Sequence, residues 1–127
     1  MQMEENTLRY ITEHQLSSCM NKTKWKELVS EITSIEYYEP LVNIKLIFDK
    51  ENNNSFSPVW WNEVERDGFE LIEWIQIKPF SIEKVGKLVE LKKTDFTESV
   101  KKALDKHSIP YHYGDNVFTV YGYKRMK

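Results

Sequence analysis

The ten residues from Phe69 to Lys78, FELIEWIQIK, constrain the fold more than any other stretch of this chain. Phe69, Leu71, Glu73, Ile75 and Ile77 alternate with Glu70, Ile72, Trp74, Gln76 and Lys78. Period two is the signature of a β-strand, because successive side chains point to opposite faces. Both faces are apolar in the middle, so neither is suited to water. The strand therefore belongs at the centre of a sheet, with neighbours on both sides. Pro79 ends it.

The flanking segments supply neighbours and cover. In LVNIKLIFD, Val42, Ile44, Leu46 and Phe48 alternate with Asn43, Lys45 and Ile47, a strand with one buried face. Residues 59–62 read as a short strand. YHYGDNVFTVYGY reads as a hairpin, with Gly114, Asp115 and Asn116 in the turn. Residues 5–16 look helical, with Leu8 and Ile11 three apart. In KTKWKELVSEI, Trp25, Leu28, Val29 and Ile32 form one apolar helical face, and Asn21 is placed to cap its start. Phe96, Val100, Ala103, Leu104 and His107 repeat that spacing, with Thr94 or Asp95 as cap and Pro110 as the stop. Residues 81–93 fit a strand or a loop. The expected order is α-α-β-β-β-α-β-β. That is an α+β fold, with a mainly antiparallel sheet of four to five strands packed by two to three helices.

Length and charge narrow the function classes. At 127 residues, 40% hydrophobic and 30% charged, the chain reads as one globular domain, residues 1–127. A formal net charge of −2 argues against a general nucleic-acid binder, which carries a basic excess. The one cysteine, Cys19, excludes an intramolecular disulfide and a Cys-rich zinc site. MQMEENTL lacks the apolar core of a signal peptide, and no apolar run is long enough to span a membrane. These features point to the cytoplasm and away from membranes.

No motif announces chemistry. There is no GxSxG, GxGxxG, Walker A, HExxH or DxDxDG, so no cofactor, metal or catalytic residue is assigned. Two features stand out as candidate binding residues. Trp60 and Trp61 are adjacent, so on an extended segment one indole faces away from the core unless another layer covers it. Behind them, Glu63, Glu65, Asp67, Glu70 and Glu73 surround a lone Arg66. Such a run steers a basic partner, or simply solvates an edge. Glu73 falls on the same strand face as Leu71 and Ile75, where a carboxylate needs a partner such as Lys45 or shifts its pKa. His107 sits in the last turn of a helix, suited to the dipole. Tyr111, His112, Tyr113, Phe118, Tyr121 and Tyr123 precede a basic KRMK end, and aromatics beside bases can stack single strands.

Three segments also resemble a family of small uncharacterised bacterial proteins, a domain of unknown function. Its members share M-N-x-T-K-W-x-E-L, I-E-W-x-x-I-x-P and I-P-Y…Y-G-Y. The matching residues here are Met20, Asn21, Thr23, Lys24, Trp25, Glu27 and Leu28; Ile72, Glu73, Trp74, Ile77 and Pro79; Ile109, Pro110, Tyr111 and Tyr121 to Tyr123. Members carry further basic residues around the central proline, where this chain has Phe80. The resemblance implies a bacterial, cytoplasmic single domain and names no reaction.

The reading that follows is a non-enzymatic protein-binding domain, an immunity or antitoxin-type inhibitor of a basic, toxin-like partner. Trp60 and Trp61 would anchor it, and Glu63, Glu65, Asp67 and Glu70 would steer. The alternatives are a small metal-assisted or acid/base hydrolase using Glu73 with His112 or Asp49, and a single-stranded nucleic-acid module on the C-terminal tyrosines.

Overall fold

A computed structural model describes residues 5–49, 55–85 and 90–125 of the chain. It is an α+β fold, as the alternation and the helical spacings require. Helices α1 (Glu5–Glu13), α2 (Lys22–Thr33), α3 (Trp61–Asp67) and α4 (Thr97–Lys106) accompany nine strands. Strands β2 (Leu41–Leu46), β3 (Ser57–Pro58), β4 (Ile72–Lys78), β7 (His112–Gly114) and β8 (Val117–Tyr121) form an antiparallel sheet in the order β3-β2-β4-β8-β7. β4 lies at its centre, paired with β2 on one side and β8 on the other.

The alternation decides which face packs. Val42 pairs with Ile77, Ile44 with Ile75, Ile75 with Val120 and Ile77 with Phe118. These side chains meet Trp25, Leu28 and Ile32 of α2 and Val100, Ala103 and Leu104 of α4 in one core. Each helix turns the predicted stripe inward. Asn21 caps α2, its side-chain oxygen accepting from the Lys24 N–H at 2.8 Å. The N-cap of α4 is Phe96, one residue past the expected Thr94 or Asp95, and makes no side-chain cap bond; Asp95 before it accepts from both the N–H and the hydroxyl of Thr97. Those two bonds hold the Asp95 carboxyl below its usual range.

Three local expectations give way, each for a physical reason. The first is the reach of the central strand. Gly68, with φ of +108°, turns the chain, and Phe69–Leu71 form a 3-10 turn before β4 begins. Phe69 is buried there, stacked on Trp25. The second is the register. Lys45 pairs with Trp74 but Leu46 pairs with Ile72, so Glu73 is an extra residue, a β-bulge. The alternation of β2 also stops at Leu46, where Asp49 closes a turn by accepting from the Leu46 N–H, and Ile47 rather than Phe48 is buried. The third is residues 59–62, which are not a strand: helix α3 starts at Trp61. Of the stretch from 81 to 93, which fitted a strand or a loop, residues 81–85 and 90–93 are strand, in β5 (Phe80–Val85) and β6 (Glu90–Asp95), which pair outside the main sheet; residues 86–89 lie outside the described residues.

The two ends of the chain meet. β1 (Leu16–Ser18), unforeseen within or beside the first helix, pairs antiparallel with β9 (Tyr123–Arg125). Leu16 and Tyr123 form a small second cluster with Ile47, against Tyr10 and Ile11 of α1. Leu8, expected on that apolar face, is exposed.

Gly122 joins β8 to β9 where the backbones crowd. Its N–H donates to the Glu73 carbonyl at 2.7 Å. A Cβ there would lie 2.1 Å from the Ile72 carbonyl oxygen and 3.2 Å from Trp25 Cζ2. Gly122→Ala should therefore cost about 3 kcal/mol by overpacking, read from urea unfolding. Gly114→Ala, whose methyl would meet only the exposed His112 side chain, should cost under about 1 kcal/mol.

Candidate functional site

Helix α3 brings the paired tryptophans and the acids into relation, and it does so with helical rather than extended geometry. Residues 60, 63, 64 and 67 follow the 3.6-residue period. Trp60, Glu63, Val64 and Asp67 accordingly line one cavity of about 600 Å3, together with Asp49 and with Val42, Asn43 and Ile44 of β2. Trp60 is 73% exposed at the helix start. Trp61 turns away from it and packs, partly buried, against the main core. One indole in and one out was the expected outcome on a strand. A helix delivers it through a 100° step instead of a 180° one.

The remaining candidates are dispersed. Glu65 leaves the cavity side and faces Lys26 of α2 at 3.8 Å, both ends exposed. Glu70 lies beyond the helix, its carboxylate folded back over Gly68. Its backbone carbonyl accepts from the Tyr123 hydroxyl at 2.8 Å. The structure thus brings together Trp60, Glu63 and Asp67, adds Asp49, and separates off Trp61, Glu65 and Glu70.

Glu73 is not on the apolar face. The bulge rotates it to the other side of the sheet, where its carboxylate meets Lys45 Nζ at 3.0 Å with both side chains largely covered. That is the pairing a half-buried carboxylate needs. On this face the cavity beside Glu73 is also lined by Trp74, His112, Tyr121 and Lys124. Glu73 and His112 therefore share a cavity, whereas Asp49 lines the other one.

The C-terminal aromatics divide between layers. Phe118 is in the core, with Tyr111 and Tyr113 against it. Tyr121 and Tyr123 line a cavity with His112 on the face opposite α2 and α4. The Asp115–Asn116 turn has φ of +53° and +61°, the left-handed pair that a two-residue hairpin requires.

Residues 7–127 match the model of a family of unknown function, DUF6678. The chain belongs to this family. The match runs through all three segments that carried the resemblance. No curated protein and no solved structure matches the chain. Among the described residues of this DUF6678 chain, no helix is long and apolar enough to cross a membrane. Among them, too, no three His, Cys, Asp or Glu side chains are grouped as metal ligands.

One polar cluster escaped the sequence reading. His107 caps the end of α4 as its position implied, but its ring also bridges α2. Nδ1 meets Glu27, and Nε2 lies 2.9 Å from Glu31, which Lys106 holds at 3.0 Å. Lys24 of α2 returns the contact, donating to the His107 and Ser108 carbonyls. The signal was present as Lys24, Glu27 and Glu31 at i, i+3 and i+7 on α2, but nothing in the sequence told which helix they face. The His107 hydrogen bond, then that of Lys106, holds the Glu31 carboxyl below its ordinary value of 4.5. Because the folded value is lowered, this contact stabilises fully above 4.5 and is lost as pH falls through the folded value. Glu31→Gln should therefore flatten the acid limb of the stability–pH curve, measured by thermal melts across an acid series, and leave its slope above neutrality unchanged.

Proposed function

We propose that this DUF6678 chain is a non-enzymatic, single-domain protein-binding module of the cytoplasm that inhibits a basic partner protein, as immunity proteins and antitoxins do. The observation that carries this reading is Trp60. It is a large indole, 73% exposed, on the rim of a cavity whose other walls include the carboxylates of Asp49, Glu63 and Asp67. Exposed aromatics that can be desolvated by a partner dominate interface energetics. Carboxylates around such an anchor speed and select encounter with a cationic surface. Tyr37, more exposed still, lines a cavity with the single carboxylate of Glu39.

Two features of the surroundings support a preformed rather than an induced face. Trp61 and Val64 fix α3 to the core from its inner side. Val42, Asn43 and Ile44 of β2 supply a rigid floor. A face held this way loses little freedom when it binds. The hydrolase alternative draws on Glu73 and His112, but the Glu73 carboxylate is engaged by Lys45.

The test is affinity capture from extracts of the source cells with four baits: the unaltered chain, Trp60→Ala, Glu63→Lys with Asp67→Lys, and Tyr37→Ala. One stoichiometric basic protein should bind the unaltered chain and Tyr37→Ala and release at high salt. Trp60→Ala should weaken it by about 2 kcal/mol, roughly 30-fold, with an unchanged melting temperature. The charge reversal should act mainly on the association rate. Retention of that partner by both the Trp60 and charge-reversed baits would refute the proposal. As a separate check on the inner side, Trp61→Ala should lower stability by about 2 kcal/mol or more.

A further inference from the structure

We propose that the face of the main sheet opposite α2 and α4 carries a second binding site, for a ligand that joins a flat heteroaromatic ring to a phosphate: a nucleotide, free or within a single strand. The site is independent of the α3 groove and would survive the failure of the partner-binding proposal.

The strand register builds its floor. Trp74 of β4 lies directly opposite Tyr121 of β8, on the face that α2 and α4 do not cover. Trp74 is 9% exposed and backs the site from beneath, while the partly exposed Tyr121 ring offers a π surface that accepts any base. The cavity above this pair holds about 580 Å3, within the range of small-ligand pockets. A separate hollow of about 110 Å3 is also lined by His112, Tyr121 and Lys124.

The polar groups around the floor are unequal in a useful way. Glu73 and Lys45 neutralise one another. Lys124 makes no ion pair among the described residues, and its ammonium rests 5.2 Å from the Tyr121 ring centre. His112 is exposed on the same rim and has no hydrogen-bond partner among the described residues. The rim therefore offers two nitrogen donors with no anion to receive them, beside an aromatic floor. A phosphate would take Lys124 and His112, and the ring would lie against Tyr121.

The experiment is titration of the full chain by calorimetry and amide NMR with the four ribonucleoside monophosphates, with adenosine and ribose 5-phosphate as half-ligands, and with an oligothymidylate. At least one nucleotide should bind at submillimolar concentration, shifting the amides of Trp74, Tyr121 and Lys124, and each half-ligand should bind at least tenfold more weakly. Lys124→Ala should lose tenfold or more while its melting temperature stays unchanged. Tyr121→Ala should lose as much, and if it does not fold, Lys124→Ala together with His112→Ala decides. Tighter, steeply salt-dependent binding of the oligothymidylate would assign the site to single strands; its weaker binding would assign it to free nucleotides. Absence of binding by every nucleotide and strand at millimolar concentration, or binding unchanged in Lys124→Ala and His112→Ala, overturns the proposal.

Discussion

Everything in this structure leans on β4 being bonded on both edges. Its Ile75 and Ile77 are fully buried, and they touch partners on β2 and β8 at once. The closure of β8 against β4 continues through Gly122, whose amide reaches the Glu73 carbonyl. Only a residue without a Cβ allows that approach, because the Ile72 carbonyl stands in the way. The β1–β9 ribbon then follows from where Gly122 releases the chain, and α1 follows from the ribbon through Leu16 and Tyr123.

The same strand separates two surfaces of different character. The bulge at Glu73 moves one carboxylate off the core face and lets Lys45 neutralise it, so on the face opposite α2 and α4 the Lys124 ammonium is left without an ion pair among the described residues. The α3 side keeps the acids. Three carboxylates there share a cavity with an exposed indole. A chain with a net charge of only −2 thus presents opposite local fields on different faces. A whole-chain charge count averages over that difference.

What the sequence revealed and what it hid divide along physical lines. Strong periodicity transferred directly: β4 as the central strand, the apolar stripes of α2 and α4, Asn21 as a cap and the Asp115–Asn116 turn were all legible. Each depends on neighbours in the sequence. The bulge at Glu73 was hidden because it arises from how two distant strands align, so a parity count along one strand put Glu73 on the wrong face. The PVWWNEVERD stretch misled for another reason. Its acids at 63, 65 and 67 imitate a strand's alternation, while the apolar spacing of Trp61 and Val64 is helical and too short to stand out. The His107 bridge to Glu27 and Glu31 needed knowledge of which two helices are adjacent, and no local pattern carries that. At the candidate groove, Trp60, Glu63 and Asp67 were named from sequence, but Asp49 reaches it only through the turn that closes β2.

The dependence on β4 is tested most directly by native-state amide hydrogen exchange, read by NMR on the free protein. The amides of Ile75, Ile77 and Val120 should exchange only through global unfolding. Those of α1 and the β1–β9 ribbon should open at lower free energy. Fast exchange at Ile75 and Ile77, or protection in α1 equal to theirs, would contradict an architecture built outward from this strand.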